Sequence, residues 1–262
     1  MRSVVRAELA TLRRRRVLVA TGLGTAAFAA ITSLATFLSA EPAAGPREGR
    51  EATLESLAEA GGGSEAFSLG IGFLGLLVLV AFIARLAGEF SHGTLRTLLM
   101  KEPRRLRVVL GKMVALLAFM AVALLLAEAL TFVASVLIAP GQGIDTSAWY
   151  SVDAVGANVG DYAAALAGAT AMALYGMTLA LLLRSVAIAV SVGVAWAGPL
   201  EHITAESWKA ADRWFPGLQL ETLAAGGTSD VSLERALLLT AIYATLAIAA
   251  GLLTLNRRDI TG

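Results

Sequence analysis

Three stretches of this chain carry no charged residue: Val17 to Leu38 over 22 positions, Ala66 to Ala84 over 19 and Tyr162 to Leu183 over 22. At about 1.5 Å per helical residue, each is long enough to cross a hydrocarbon layer of about 30 Å. A soluble domain of this length would distribute its apolar residues at amphipathic spacing instead of massing them in blocks. Three further runs follow the same logic. Met113 to Pro140 is interrupted only by Glu128, Ser185 to Leu200 is a 16-residue run set off from the preceding one by Arg184 alone, and Ala236 to Asn256 nears the end of the chain. The expected fold is therefore all-α, a polytopic membrane protein with six transmembrane helices over about 17–38, 66–88, 108–139, 160–183, 185–200 and 235–256. The short fifth run leaves a re-entrant segment open.

The first apolar run is longer than the usual ~7–15 residues of a secretory signal, which favours a retained span, although its small residues leave cleavage as an alternative. Cysteine is absent, which excludes disulfides, thiolate metal sites and cysteine nucleophiles.

Charge gives the chain an orientation. If the six runs alternate, 16 of the 21 Lys and Arg residues fall on the side of the N-terminus. The opposite side holds Arg47, Arg50, Lys209, Arg213 and Arg235, with a first loop rich in Glu41, Glu48, Glu51, Glu55, Glu59 and Glu65. The positive-inside rule then makes both termini cytoplasmic and the location the cytoplasmic (inner) membrane. An odd number of spans would put Arg257 and Arg258 outside.

The loops acquire characters of their own. Residues 1–16, with Val4, Val5, Leu9 and Leu12 between arginines, predict an interfacial helix along the inner headgroups, ahead of a transmembrane domain over 17–262. The sequence from Gly49 to Gly63 predicts a short helix ended by glycines. Residues 201–233, with Trp208, Ala211 and Phe215 at helical spacing followed by PGLQL, predict a short helix in the outer interface, where tryptophan is favoured.

One cytoplasmic loop is unusually basic. EFSHGTLRTLLMKEPRRLRVVLGKM, from Glu89 to Met113, gathers Arg96, Lys101, Arg104, Arg105, Arg107 and Lys112 between two apolar runs. Anionic lipid accounts for the charges, but not for a break at Gly93-Thr94 and a helix-opening Pro103 flanking Leu95, Leu98 and Leu99 on one helical face. Helix, break, short surface helix and helix again is the arrangement through which a permease would take force from a cytoplasmic motor.

The order Glu89, Gly93-Thr94, Leu98-Leu99, Pro103, Arg105, Gly111-Lys112 resembles the E-x-x-x-G-T-x-x-x-L-L-x-x-x-P signature of permease subunits of type-2 ATP-binding-cassette (ABC) exporters. The basic N-terminal helix, the six runs, the insertion before the last run and the NRRDI close extend the resemblance along the chain, with Asn256 where an aromatic residue is common. The resemblance implies a coupling helix over about 89–107, with Glu89, Gly93, Thr94, Leu95, Leu98, Leu99, Pro103 and Arg105 docking on a separate ABC ATPase subunit. It also implies two copies of that ATPase and a second permease subunit, identical or homologous. ATP and magnesium would then reside on the partner, because no G-x-x-x-x-G-K-[ST] phosphate loop occurs in this chain and it needs no cofactor of its own. The function implied is export of a hydrophobic or amphipathic substrate. The alternative is a motor-independent membrane anchor or assembly subunit.

Other singled-out residues have two readings each. Glu128 lies well inside the third run, where a carboxylate is costly; it serves a transport path or proton handling, or it hydrogen-bonds a Ser or Thr of a neighbouring helix. Glu89 is a functional carboxylate or an ordinary helix-end acid, and Arg85 reads as an anchor in the inner headgroups. His92 and His202 fall on opposite sides and cannot share a metal. His202 beside Glu201 reads as a solvated pair, with metal binding or pH sensing as the alternative. Neither H-E-x-x-H nor G-x-S-x-G occurs, so an enzyme is not expected. Arginine runs beside spans point to lipid or a protein partner, not to nucleic acid.

Overall fold

The computed structural model describes residues 2–42, 52–91, 93, 94, 100, 104–208, 210–224, 227 and 231–257. Eleven α-helices occur among them: α1 Arg2–Leu12, α2 Arg15–Ser39, α3 Leu54–Ala58, α4 Glu65–Leu69, α5 Ile71–Ser91, α6 Arg105–Ile138, α7 Val152–Leu183, α8 Val186–Ala195, α9 Glu201–Ser207, α10 Pro216–Ala224 and α11 Leu233–Arg257. A π-helical stretch, Trp196–Leu200, joins α8 to α9. The described residues contain no strand, only an isolated bridge between Glu41 and Thr53. Six helical runs among them are long and apolar enough to cross a membrane. Leu23 (68% exposed), Ile31 (66%) and Leu137 (76%) project from them into what would be water around a soluble protein. Hydrocarbon solvates such side chains without penalty, so the chain is an all-α, multi-pass membrane protein.

The helices depart from the apolar runs at several points. The expected second run from Ala66 is broken: α4 closes at Gly70, whose N–H donates to Ala66 O and Phe67 O, and α5 begins one residue later. Hydropathy does not register such a break, because the residues on both sides are equally apolar. The fourth helix starts at Val152, eight residues before the expected 160. It takes in Asp153, which suits the positive end of a helix dipole, and Asp161, which accepts a hydrogen bond from Ser64 Oγ at 2.6 Å. The fifth run does not stop at Leu200. Through the π-helical stretch and α9 it reaches Ser207, 22 residues in all, with a non-helical turn at Gly198 beside Pro199. The expected helix through Trp208, Ala211 and Phe215 does not form. Trp208 is extended, Ala211–Arg213 is a 3-10 turn, and the PGLQL segment is itself the start of α10, with proline at its first position.

The described residues form two compact units, one within 1–13, 72–120 and 167–262 and the other within 14–71 and 121–166. In the second, Phe37, Leu57, Ala139, Ile144 and Trp149 make a buried cluster. There the Trp149 indole N–H donates to Leu57 O at 2.8 Å, and Thr53 and Ser56 form a reciprocal capping box that starts α3. In the first, α5 and α7 approach closely at Gly176, where a Cβ would stand 2.7 Å from Leu79 O. In that unit, too, α10 and α11 pack together, and the Thr178 hydroxyl of α7 donates to Ala247 O of α11 at 2.8 Å.

Candidate functional site

α1 exposes Arg2 and Arg6, while Val4, Glu8 and Leu12, spaced by four, form a buried stripe. It therefore packs against protein and does not simply float on headgroups. Val4 meets Val108 of α6 and Phe90 of α5. Glu8, 5% exposed, is the only acid among the first 40 residues.

Three side chains converge on or beside that carboxylate. Arg85 Nε donates to Glu8 Oε1 at 2.6 Å, Lys112 Nζ to Glu8 Oε2 at 2.8 Å, and the same ammonium to Glu89 Oε1 at 2.6 Å. Arg85 and Glu89 lie four residues apart on α5, hence on one face. Two carboxylates meet two cations, so the cluster is neutral, as burial of such groups requires. Burial would raise the Glu8 pKa, but hydrogen bonds from Arg85 and Lys112, with their charges, outweigh it and hold the carboxyl below its ordinary value. Arg85 is thus a partner of Glu8, and not the headgroup anchor expected of it. Its guanidinium is only partly exposed because α1 covers it. Glu89 Oε2 is buried with no hydrogen-bond partner among the described residues.

The segment that resembles the coupling signature begins where α5 ends. Gly93 has φ +68°, the left-handed conformation that glycine adopts without strain, and its N–H donates to Phe90 O at 3.2 Å. The Thr94 hydroxyl reaches back toward Glu89 O at 3.5 Å. Thr94 and Met100 are helical and exposed. Leu95, Leu98, Leu99 and Pro103 lie outside the described residues, and Arg105 is the first residue of α6. Arg104 and Arg107 are exposed there. The turn from α7 to α8 supplies another cation. Arg184, at φ +54°, sets its guanidinium 5.5 Å from the centre of the Phe90 ring, close enough for a cation–π contact.

Glu128 is buried in α6, in the other compact unit, and its Oε1 has no hydrogen-bond partner among the described residues. Asp161 of α7 lies near enough to act on Glu128 as a like charge. Glu201 and His202 do not pair as expected. Glu201 is buried and accepts the Leu218 N–H at 3.0 Å at the start of α10, whereas exposed His202 meets Glu221 at 3.1 Å. Among the described residues no group of three His, Cys, Asp or Glu side chains could hold a metal.

No protein-family model matches the chain, and no curated protein sequence is significantly similar to it. Arg85, Glu89 and Lys112 appear in the sequence as charges near helix ends. Glu8 is the partner that sequence reasoning misses, and its signal is an isolated acid in an apolar i, i+4 stripe among arginines. The cluster holds no nucleophile or metal set. What it can do is mechanical: Glu89 and Lys112, 23 positions apart, are clamped together at the base of the loop between α5 and α6, and Glu8 ties α1 to α5 through Arg85 and to α6 through Lys112.

Proposed function

We propose that this chain is the permease subunit of a type-2 ABC exporter, moving a hydrophobic or amphipathic substrate across the cytoplasmic membrane with power from a separate ATPase. Two such permeases, identical or homologous, would enclose the path, and two ATPases would bind ATP and magnesium. The observation that carries this reading is the ionic clamp. A segment that takes force from a motor has to be joined stiffly to the helices it moves, and the Lys112–Glu89 pair at 2.6 Å joins both ends of the candidate coupling segment. Glu8 extends the joint to α1. A displacement of residues 93–104 would then tilt α5, α6 and α1 as one body. ATP-driven closure of the motor supplies the differential binding energy, and the permease transduces it. Both termini lie on the motor's side, in accord with the concentration of Lys and Arg there.

The reading is tested by tagging the protein in its native membrane, extracting it gently and identifying what co-elutes. An ATPase is expected in roughly equal amount. Glu89→Ala or Gly93→Val should lose it, or leave hydrolysis uncoupled from transport, while insertion into the membrane is retained. Normal transport by both variants, or no ATPase in several mild detergents, would refute the exporter and leave a motor-independent anchor.

A further inference from the structure

The fifth helical run bends at Gly198, whose φ of −113° and ψ of −106° are not helical, and α9 follows the bend as a helix of only 7 residues. So short a helix does not hold itself, since isolated helices below about 12 residues are marginal. Two adjacent side chains at its start tie it to α10. Glu201 Oε2 accepts the Leu218 N–H at 3.0 Å, in the first turn of α10, and a Cβ on Gly217 would stand 2.5 Å from the same oxygen. His202 reaches farther along α10, where its Nε2 lies 3.1 Å from Glu221 Oε1.

The other nitrogen of that ring is engaged as well. His202 Nδ1 stands 2.9 Å from Gly198 O, the carbonyl at the bend. Both contacts are with acceptors, because neither a carbonyl nor an ionised carboxylate has a proton to give. A neutral imidazole carries a single N–H, so in either tautomer a lone pair would face an oxygen at hydrogen-bond distance. Only the imidazolium donates at both nitrogens, and both bonds are then charge-assisted. The elements packed on α9 include the π-helical stretch, the 3-10 turn Ala211–Arg213 and α10. Among their described side chains the charged ones are Arg213 and Glu221, and α9 itself adds Glu201 and Glu206. Of these, Glu221 is the one paired with the ring, while Glu201 is turned to Leu218. The His202 and Glu221 side chains are 52% and 50% exposed, so solvent reaches the pair and exchanges its proton.

We infer that His202 is a pH-sensitive latch: as an imidazolium it fastens both the Gly198 bend and α9 to α10, and on losing its proton it gives up one of the two bonds. The latch is closed on the acid side and opens as pH rises through the titration of the ring, within the interval of about pH 5 to 8 in which histidine changes charge. Opening leaves α9 held to α10 by the Glu201 bond and free to turn about Gly198. The latch does not rest on the exporter reading and is tested with no motor present.

The experiment uses the full chain in phosphatidylcholine nanodiscs, with histidine labelled by heavy nitrogen in its ring. His92 is the only other histidine, and its signals are assigned by their loss in His92→Gln. Ring-nitrogen shifts separate an imidazolium from either neutral tautomer. At about pH 7 an ordinary histidine, with a pKa of about 6.5, is mostly neutral. His202 is expected to be mostly imidazolium there, and in Glu221→Gln mostly neutral. Hydrogen exchange, corrected for its intrinsic pH dependence, reads the consequence. From about pH 6 to about pH 8 the protection of α9 and α10 amides should fall up to about fivefold, the effect of an exposed ion pair, while α2 keeps its own. His202→Gln should stay at the lower level throughout. A neutral His202 ring at neutral pH, or an imidazolium that Glu221→Gln leaves unchanged, refutes the latch, because one of its two bonds is then not made. Protection that does not fall in the parent, or that falls alike in His202→Gln, refutes it too. If His202→Gln does not fold, Glu221→Gln replaces it in the exchange measurement, and a parent-like fall there overturns the inference.

Discussion

Lys112 is the residue on which the ionic cluster depends most. It is 5% exposed and bonds two carboxylates, whereas Arg85 bonds one and remains a third exposed. Lys112→Met leaves Glu89 without its only charged partner in the cluster, and breaking a buried pair from one side costs about 3–5 kcal/mol. Glu8→Gln is milder, because Lys112 keeps Glu89 and Arg85 can turn to water. Thermal unfolding of the purified chain in detergent should therefore rank the parent above Glu8→Gln and Glu8→Gln above Lys112→Met; the reverse order would show that the cluster is not organised around the lysine. The same geometry sets a pH dependence. The Glu8 pKa is depressed in the folded state, so its contribution is complete above the ordinary carboxylate value of about 4.3 and is lost as pH falls through the lowered value. Hydrogen exchange of the α1 amides should stay slow through mild acid and quicken only below the usual carboxylate range. In Lys112→Met one of the groups lowering that pKa is gone, and the quickening should move to higher pH.

At the scale of elements, glycines that look alike in sequence do different work. Around Gly22 and Gly24 of α2 no atom lies within 4 Å of where a Cβ would stand, while Gly176 of α7 would drive a Cβ to 2.7 Å from Leu79 O on α5. Backbone cannot yield as a flexible side chain can. Gly176→Ala should separate the two helices and cost about 1–3 kcal/mol, whereas Gly24→Ala should be neutral or stabilise by up to about 1 kcal/mol through helix propensity. Thermal unfolding of the two variants checks this, and equal effects would mean that the close approach is not maintained. The contrast also marks what was legible in the sequence. Uninterrupted apolarity reveals that a helix exists, so α2, α6 and α11 begin and end within about three residues of their expected bounds. It is blind to a break between equally apolar residues, as at Gly70, and to a helix that continues through a buried acid, as at Glu201. For the site, Glu89 and Gly93 could be singled out because a motif contains them. Glu8 and Lys112 could not be paired, since their contact spans 104 positions and only the packing of α1 on α6 creates it.

For the whole molecule, if all six span-length helical runs among the described residues cross, the asymmetry of Lys and Arg predicts that both termini and the α5–α6 loop share a face and that the α6–α7 turn lies on the other. The chain suits a direct test, because it has no cysteine and each introduced thiol reports alone. Thr94 and Ser147 are exposed, and replacing either removes no buried bond. In intact cells an impermeant maleimide should label Ser147→Cys at once and Thr94→Cys only after the membrane is opened. Ser3→Cys should follow Thr94→Cys, since α1 would be held against the α5–α6 loop by the Glu8–Lys112 bond. Labelling of Thr94→Cys from outside would invert the topology and remove the coupling segment from any cytoplasmic ATPase, so the exporter reading would fail with it. Labelling of Ser147→Cys and Ser3→Cys together from outside would mean that an even number of crossings separates them, so that one of α2, α5 and α6 does not span. The fifth helical run would not be at fault, because it lies beyond both positions. The outcome thus separates an error of orientation from an error of span count, a distinction that charge alone cannot make.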